Sequence, residues 1–538
     1  MAEAIERSVT TANEGTADTD LTRLSASELA QRIRAGELTS QQVVEAHIRR
    51  IEAVNPRINA LVFPLFDQAR AEAKAADEAQ AQGKPLPPLH GVPITIKDQF
   101  LVKGTPSTWG LLNQANHRAE DDGPLVKRLR AAGAIILGKT NIPQLLYYPE
   151  ADNPVYGRCN NPWNLDRVPG GSSGGEGAII AAGGSPLGLG GDIGGSLRVP
   201  AHFCGITTLK PTTALLSNKD NPDHLGITGQ EAIVSQQGAM ARSVADVALG
   251  LRLLSAPGQE VFDPTIPPVQ WREPEKVDVG KVRIAMYTDD GFITASPAIR
   301  RATREAADAL RAQGIVVEEW TPPDVHEGMA LFVGLLGADG GAWAKRLLAG
   351  DKPTRPIAGL LQIVNLPGFL RPTVRGLMGM LGQRRLANTM RSLNPLSADQ
   401  LWQLVARRTH YRRRFLAAMD AGRYDAIICP PYPVPALTHG ASYYLTTAGS
   451  YTMLYNLLGM PAGVVPATRV RAGEESDRPD SKDWVEKAAK QVEMNSAGLP
   501  VGVQVVARHW REDVALAIMY ALEAHFRQQP DYPARPEL

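Results

Sequence analysis

Apolar and polar positions follow two rhythms along this chain. Between residues 25 and 82 the spacing is helical. Ser25 with Glu28, and Thr39 with Gln42, are capping-box pairs that each precede apolar residues three and four apart. The second of these helices turns Val43, Val44, Ile48 and Ile51 toward a core. A charged, alanine-rich stretch from Asp67 to Gln82 predicts a third helix with a solvated face. From about His90 the rhythm changes to short continuous apolar runs: Val92–Ile96, Ala134–Leu137, Val282–Ala285, Ala426–Ile428 and Val501–Val506. Helical stretches such as Pro124–Ala132 and Ser243–Leu254 separate them. Strands buried on both faces read as unbroken apolar runs, so the alternation predicts an α/β protein. Its expected architecture is a central twisted mixed β-sheet covered by helices on both faces. We find no internal repeat, and the proline-rich stretches Pro264–Pro274 and Pro322–Pro323 read as surface connections. The expected organisation is one large domain over residues 25–527, a disordered N-terminal tail over 1–24 and a C-terminal tail over 528–538.

Composition narrows the classes. Length alone admits two to four domains at about 100–200 residues each. An apolar share of 43% with 21% charged residues is too apolar for a disordered chain. The net charge of +1 excludes a general nucleic-acid binder, which would carry a basic excess. Cys159, Cys204 and Cys429 lie far apart, which suits a reducing compartment and argues against a disulfide framework or a zinc site. Met1 to Thr22 lacks the apolar core and cleavage pattern of a signal peptide. The expected location is cytoplasmic, not secreted.

One segment departs from the soluble pattern. Arg355–Arg385 carries Leu360, Leu361, Val364, Val374, Leu377, Met378 and Leu381, with Arg371, Arg375, Arg384 and Arg385 interleaved. Pro367 and Pro372 split it into two short helices. Its longest uncharged run, Ile357 to Leu370, falls short of the roughly 20 residues needed to span a bilayer. It reads either as a hairpin packed on the core or as an interfacial cap with its arginines at lipid headgroups. The Arg407–Arg408 and Arg412–Arg414 cluster reads as a solvated helix face.

The glycines hold the chemical signal. Twelve of the 28 positions from Pro169 to Ser196 are glycine. Such density lets backbone approach a ligand closely and adopt conformations closed to other residues. Two letter patterns here mislead. Gly133 through Thr140 spells a phosphate-binding loop, but its four central residues are apolar and read as a strand. Gly170-Gly-Ser172-Ser-Gly174 spells a nucleophile elbow, with His439 and His509 downstream. The preceding segment, Asn160–Pro169, is polar and proline-rich where the elbow needs a strand.

Three stretches make a stronger constellation: Gly91-Val-Pro-Ile-Thr-Ile-Lys97-Asp98, Pro169-Gly-Gly-Ser172-Ser173-Gly-Gly-Glu176-Gly177, and Gly191-Asp192-Ile193-Gly194-Gly195-Ser196-Leu197-Arg198. In residue type, order and spacing they resemble the amidase signature family, with a signature core over about 90–255. Thr452 through Pro466 and Gly498 through Gln504 resemble the C-terminal motifs of its fatty acid amide hydrolase branch. Asn153-Pro154 through Asn161-Pro162 resembles that branch too, and Leu401-Trp402 resembles the region after its membrane cap. The likeness covers roughly residues 25 to 527. Two features differ: that branch's N-terminal transmembrane helix has no counterpart here, and Gly191 stands where serine or threonine is usual.

The resemblance implies a Ser-Ser-Lys triad with no metal or organic cofactor. Ser196 is the implied nucleophile, Lys97 the base, and Ser172, after a non-proline cis peptide, the bridge. The N–H groups of Ile193, Gly194, Gly195 and Ser196 would form the oxyanion hole, with Ser173 nearby and Asp192 and Arg198 bracing the loop. Leu146 and Tyr147 align with an acyl-channel segment. The implied reaction is hydrolysis of acyl amides through an acyl-serine, on fatty acid amides or N-acylethanolamines and also esters. Alternatives with the same triad are an aryl amide or carbamate amidase and, less well matched, a subunit of a tRNA-dependent amidotransferase. The implied partners are a small-molecule amide and a membrane surface met through residues 355–385; a homodimer is compatible with the family.

Overall fold

A computed structural model describes residues 21–538 except residue 228. Both capping boxes form: Ser25 and Thr39 accept backbone N–H bonds, and Glu28 and Gln42 reach back to the caps. They open helices Ala26–Arg34 and Ser40–Ile58, and the expected third helix runs Phe66–Ala81.

Eleven strands form one sheet among the described residues. In chain order they are β1 (Leu61–Pro64), β2 (Pro93–Lys97), β3 (Ile135–Thr140), β4 (Leu187–Asp192), β5 (Thr207–Lys210), β6 (Gln236–Ala241), β7 (Arg283–Met286), β8 (Val316–Glu319), β9 (Ala426–Cys429), β10 (Ala462–Arg469) and β11 (Pro500–Ala507). Across the sheet the order is β1-β3-β2-β4-β6-β5-β10-β11-β9-β7-β8. Parallel pairs join β3, β2 and β4 and again β9, β7 and β8, while the strands between are antiparallel. The sheet is therefore mixed, and the five apolar runs are β2, β3, β7, β9 and β11.

Alternate residues of β3 enter different clusters, Ile136 in the larger and Ile135 with Leu137 in the second. A strand's side chains alternate between faces, so the sheet is buried on both. The same alternation positions the site. On β2, Ile94 and Ile96 join the larger cluster. Thr95 and Lys97 point the other way, toward helix Gly174–Ala181. Pro93 does not disturb the sheet because it is the strand's first residue.

Both chain ends pack on the domain where they are described, and for residues 21–24 this departs from the disorder expected of them. Residues 1–20 lie outside the described residues. Leu24 packs on the core, and the carbonyls of Thr22 and Leu24 accept from Arg242. At the other end Arg535 bonds Ala182 O, and Leu538 packs on the second cluster.

The 355–385 segment forms helices Arg355–Asn365 and Arg371–Met380, followed by Arg384–Ser392. Helix Arg371–Met380 has no buried residue, and Phe369 and Met380 are 79% and 81% exposed. Of the four interleaved arginines Arg371, Arg375, Arg384 and Arg385, two are turned inward instead of outward. Arg371 ties down Leu366 O, Val364 O and Leu393 O, and Arg385 bonds Phe292 O and Glu486. Among the described residues no helix is long and apolar enough to cross a membrane.

Candidate active site

Lys97 ends β2 with no exposed surface. Its Nζ is hydrogen-bonded to Ser172 Oγ at 2.7 Å and to Gly191 O at 3.3 Å. Burial pushes its pKa down to about 7, against the opposing pull of Asp192, Glu176 and Asp98. Removing an ammonium from water favours the neutral amine, the form a base needs.

Ser172 lies just before helix Gly174–Ala181, and the Gly171–Ser172 peptide is cis. The neighbouring glycines are there for close approach. A Cβ on Gly171 would stand 2.1 Å from Tyr148 O, and one on Gly175 would stand 2.3 Å from Asn141 N. The loop is thus pressed against residues 141–150, a fit that only glycine permits. Ser173 brings the second serine loop alongside: its N–H donates to Ser196 O at 3.1 Å, and its Oγ bonds Gly191 O at 3.3 Å.

The loop after β4 is built around Asp192. Its carboxylate accepts from Gly195 N (2.7 Å), Leu197 N (3.1 Å) and Asn456 Nδ2 (2.9 Å). Burial alone would raise the Asp192 pKa, but the Arg198 guanidinium, Lys210 and the Asn456 bond hold it well below the usual carboxylate range. Arg198 also reaches Thr452 O, Gln504 Oε1 and Asn456 Oδ1, so the C-terminal motifs seen in the sequence serve to brace this loop. Of the four amides between Ile193 and Ser196, that of Gly195 is already occupied by Asp192. Gly191 is the glycine that departs from the family pattern; a Cβ there would lie 2.5 Å from Gln237 Oε1 and 3.0 Å from Gln99 Nε2. Those two amides fill the space that a serine or threonine would take.

Leu146 packs in a third apolar cluster with Trp109, Leu145 and Tyr148, against Ala344 and Leu348 of helix Ala342–Leu348 and Ile357 and Leu361 of helix Arg355–Asn365, the first two helices of a helical insertion over residues 342–392. Tyr147 beside it is partly exposed and rests edge-on against Tyr148. Two residues not expected from sequence also face the loop. A Cβ on Gly194 would meet Phe332 Cζ at 3.2 Å and Met453 Cγ at 3.6 Å. Nothing in the sequence set Phe332 apart from ordinary apolar helix residues, and Met453 lies within the Thr452–Pro466 motif without any mark of facing this loop.

The amidase family profile matches residues 42–516. The chain belongs to the amidase family. This amidase is 37% identical over 501 residues to fatty-acid amide hydrolase 1 of Sus scrofa, covering 92% of this chain and 84% of that protein. It is 32% identical over 509 residues to an indoleacetamide hydrolase of Bradyrhizobium diazoefficiens, covering 93% and 86%. Among solved structures, a fatty acid amide hydrolase superposes with a TM-score of 0.82 at 28% identity, covering 94% of this chain and 85% of that one.

The misleading patterns dissolve in this amidase. Residues 135–140 are β3, and Lys139 Nζ is spent on Phe100 O (2.7 Å) and Ser107 Oγ (3.1 Å). His439 bonds Leu165 O and His509 bonds Leu458 O, so both imidazoles serve backbone carbonyls, while Ser172 Oγ is bonded to Lys97. The three cysteines are buried and unpaired. In the arginine cluster on helix Ala398–Ala421, Arg408 turns in to Leu457 O and Arg412 to His509, while Arg407 and Arg414 reach Glu327 at the surface.

Proposed function

We propose that this amidase hydrolyses acyl amides of the fatty acid amide or N-acylethanolamine type, and esters of the same acids, through an acyl-serine on Ser196. The hydrogen bond between the buried Lys97 amine and Ser172 carries the reading. Neutral Lys97 takes the Ser172 proton as Ser172 takes that of Ser196, and Ser196 Oγ attacks the carbonyl carbon. The resulting oxyanion meets the amides of Ile193, Gly194 and Ser196; that of Gly195 shapes the loop through Asp192. Preorganised donors of this kind are each worth about 3 kcal/mol in the transition state. The proton then returns through Ser172 to the leaving nitrogen, the C–N bond breaks, and water later releases the acid from Ser196. The 37% identity to a fatty-acid amide hydrolase and the apolar cluster of Leu146 with Leu145 and Tyr148 support a lipophilic acyl group. The exposed Phe369, Leu377, Met380 and Leu381 support peripheral membrane contact. An aryl amide amidase is the second reading, supported by the 32% identity to an indoleacetamide hydrolase.

A fluorophosphonate probe should label Ser196. Labelling that persists undiminished in Ser196→Ala would sink the assignment. A panel of amides varied in chain length and leaving group then separates the two substrate readings: a rate that climbs with acyl length supports the first.

A further inference from the structure

Glu176 is a fully buried acid that the steps above do not use. It sits on helix Gly174–Ala181 and faces the same side of β2 as Lys97. Its Oε2 accepts from Thr95 Oγ1 at 2.7 Å and its Oε1 from Thr140 Oγ1 at 2.9 Å. Thr95 is two residues before Lys97 on one strand face, and Thr140 is the residue that pairs with Lys97 across β2 and β3. The carboxylate has its own cradle. Gly188, paired with Thr95 on the other side, leaves open a place where a Cβ would lie 1.9 Å from Glu176 Oε2. Gly188 does not have a positive φ, so it is there for space and not for conformation.

The other acids facing Lys97 are already committed. Asp192 has Arg198. Asp98 accepts from Thr108 N, Thr108 Oγ1, Trp109 N and Tyr156 Oη. Glu176 has only two neutral hydroxyls, and among the described residues no arginine or lysine lies within ion-pair distance of it. A buried charge persists only with compensation. Here the compensating cation is the ammonium that forms when Lys97 takes a proton.

Resting on the Lys97–Ser172–Ser196 reading, we propose that Glu176 is a positioning residue that sets the charge of Lys97: its carboxylate stabilises the ammonium formed during attack and fixes the pH at which the amine is free to act as base. Burial outweighs the two threonine hydroxyls and Lys97 and pushes the Glu176 pKa up to about 8; burial pushes that of Lys97 down to about 7 against the opposing pull of Asp192, then Glu176, then Asp98. Each group thus favours the charged form of the other, and the pair titrates as a unit.

The test follows the rate of fluorophosphonate labelling of Ser196 from about pH 5 to about pH 10, a range that brackets both groups. Wild-type labelling should rise with pH as Lys97 loses its proton. Glu176→Gln keeps the shape but removes the charge, so the midpoint should fall by about one pH unit. Thr140→Val removes a bond that favours the carboxylate, so it should move the midpoint the same way by less. If Glu176→Gln does not fold, Thr140→Val decides. A midpoint that stays in place or rises, whether the plateau rate is kept or lost, overturns the proposal, since a merely structural role would lower the rate at every pH alike. Absence of labelling in the wild type would instead remove the Ser196 reading itself and the proposal with it.

Discussion

Arg198 and Asp192 meet side by side with no exposed surface on either, Nε 3.0 Å from Oδ2 and Nη2 3.0 Å from Oδ1. Removing one partner of a buried pair leaves the other charge uncompensated, at a cost of about 3–5 kcal/mol. Arg198→Met should therefore lower unfolding free energy by about that much in chemical denaturation. It should also slow Ser196 labelling, because Asp192 holds the amides of Gly195 and Leu197 in place. Arg198→Lys keeps the charge but loses the fork to Thr452, Gln504 and Asn456, so it should rescue stability only in part. A wild-type denaturation midpoint in Arg198→Met would show that the pair does not organise the loop.

The Lys97 amine predicts two responses to pH, and both rise with it. Turnover should climb as pH rises through about 7, where the folded lysine loses its proton. Stability depends on the unfolded lysine as well, whose pKa is about 10.4. Between these values the unfolded chain binds more protons, so this group's contribution to stability rises with pH. The cost of burying it charged is full below about 7 and gone by about 10. Lys97→Met removes that cost. Its unfolding free energy should exceed the wild type's most at or below neutrality and converge with it at high pH. A difference that is constant with pH would mean the buried lysine is not shifted.

Lys97 should matter more for amides than for esters. An alkoxide leaves without help, whereas an amine must be protonated as the C–N bond breaks, and in the proposed mechanism that proton returns through the hydrogen-bonded Lys97 and Ser172. Lys97→Ala should lower kcat for an amide by at least about tenfold more than kcat for the ester of the same acid, within the roughly 10²–10⁴ range of general acid–base effects. Equal losses would assign the leaving-group proton to another donor.

The sequence made some of this legible, for reasons that particular residues show. The strands β2, β3, β7, β9 and β11 were readable because burial on both faces demands continuous apolar runs. Strand β4, Leu187–Asp192, was not, because three of its six residues are glycine. Its glycines make room for the site: Gly188 for Glu176, Gly190 for Leu197, Met240 and Ser173, and Gly191 for Gln99 and Gln237. A strand with its side chains removed to admit neighbouring groups loses the apolar signature of a strand. The proposed triad positions could be put forward because serine, lysine and glycine occur there in the order of the resemblance, but the network joining Arg198 to Thr452, Asn456 and Gln504 spans over 250 residues of chain and is visible only once folded. Phe332 carried no mark at all, and Met453 none beyond lying in the Thr452–Pro466 motif, since an apolar residue facing the Asp192–Ser196 loop has the same sequence pattern as one facing a core.

The helical insertion offers a last prediction, and the structure divides its residues into two sets. Leu361 and Val364 pack inward, and Arg371 and Arg385 are tied to backbone carbonyls; none of these is free to meet lipid. Phe369, Leu377, Met380 and Leu381 are exposed, with Arg375 and Arg384 exposed beside them. An apolar face flanked by cations should lie at the headgroup boundary of an anionic bilayer. Co-sedimentation with phosphatidylcholine vesicles containing phosphatidylserine should therefore fall when Leu377 and Leu381 are both changed to Asp, and fall less in Arg375→Gln with Arg384→Gln. Raising salt should weaken the wild type only as far as the arginine changes do, because screening acts on the charges and not on the buried apolar area. Because helix Arg371–Met380 has no buried residue, the aspartates should leave unfolding midpoints near the wild type's. Equal sedimentation of wild type and the aspartate variant would remove the membrane reading and leave the insertion as a wall of the Leu146 cluster alone.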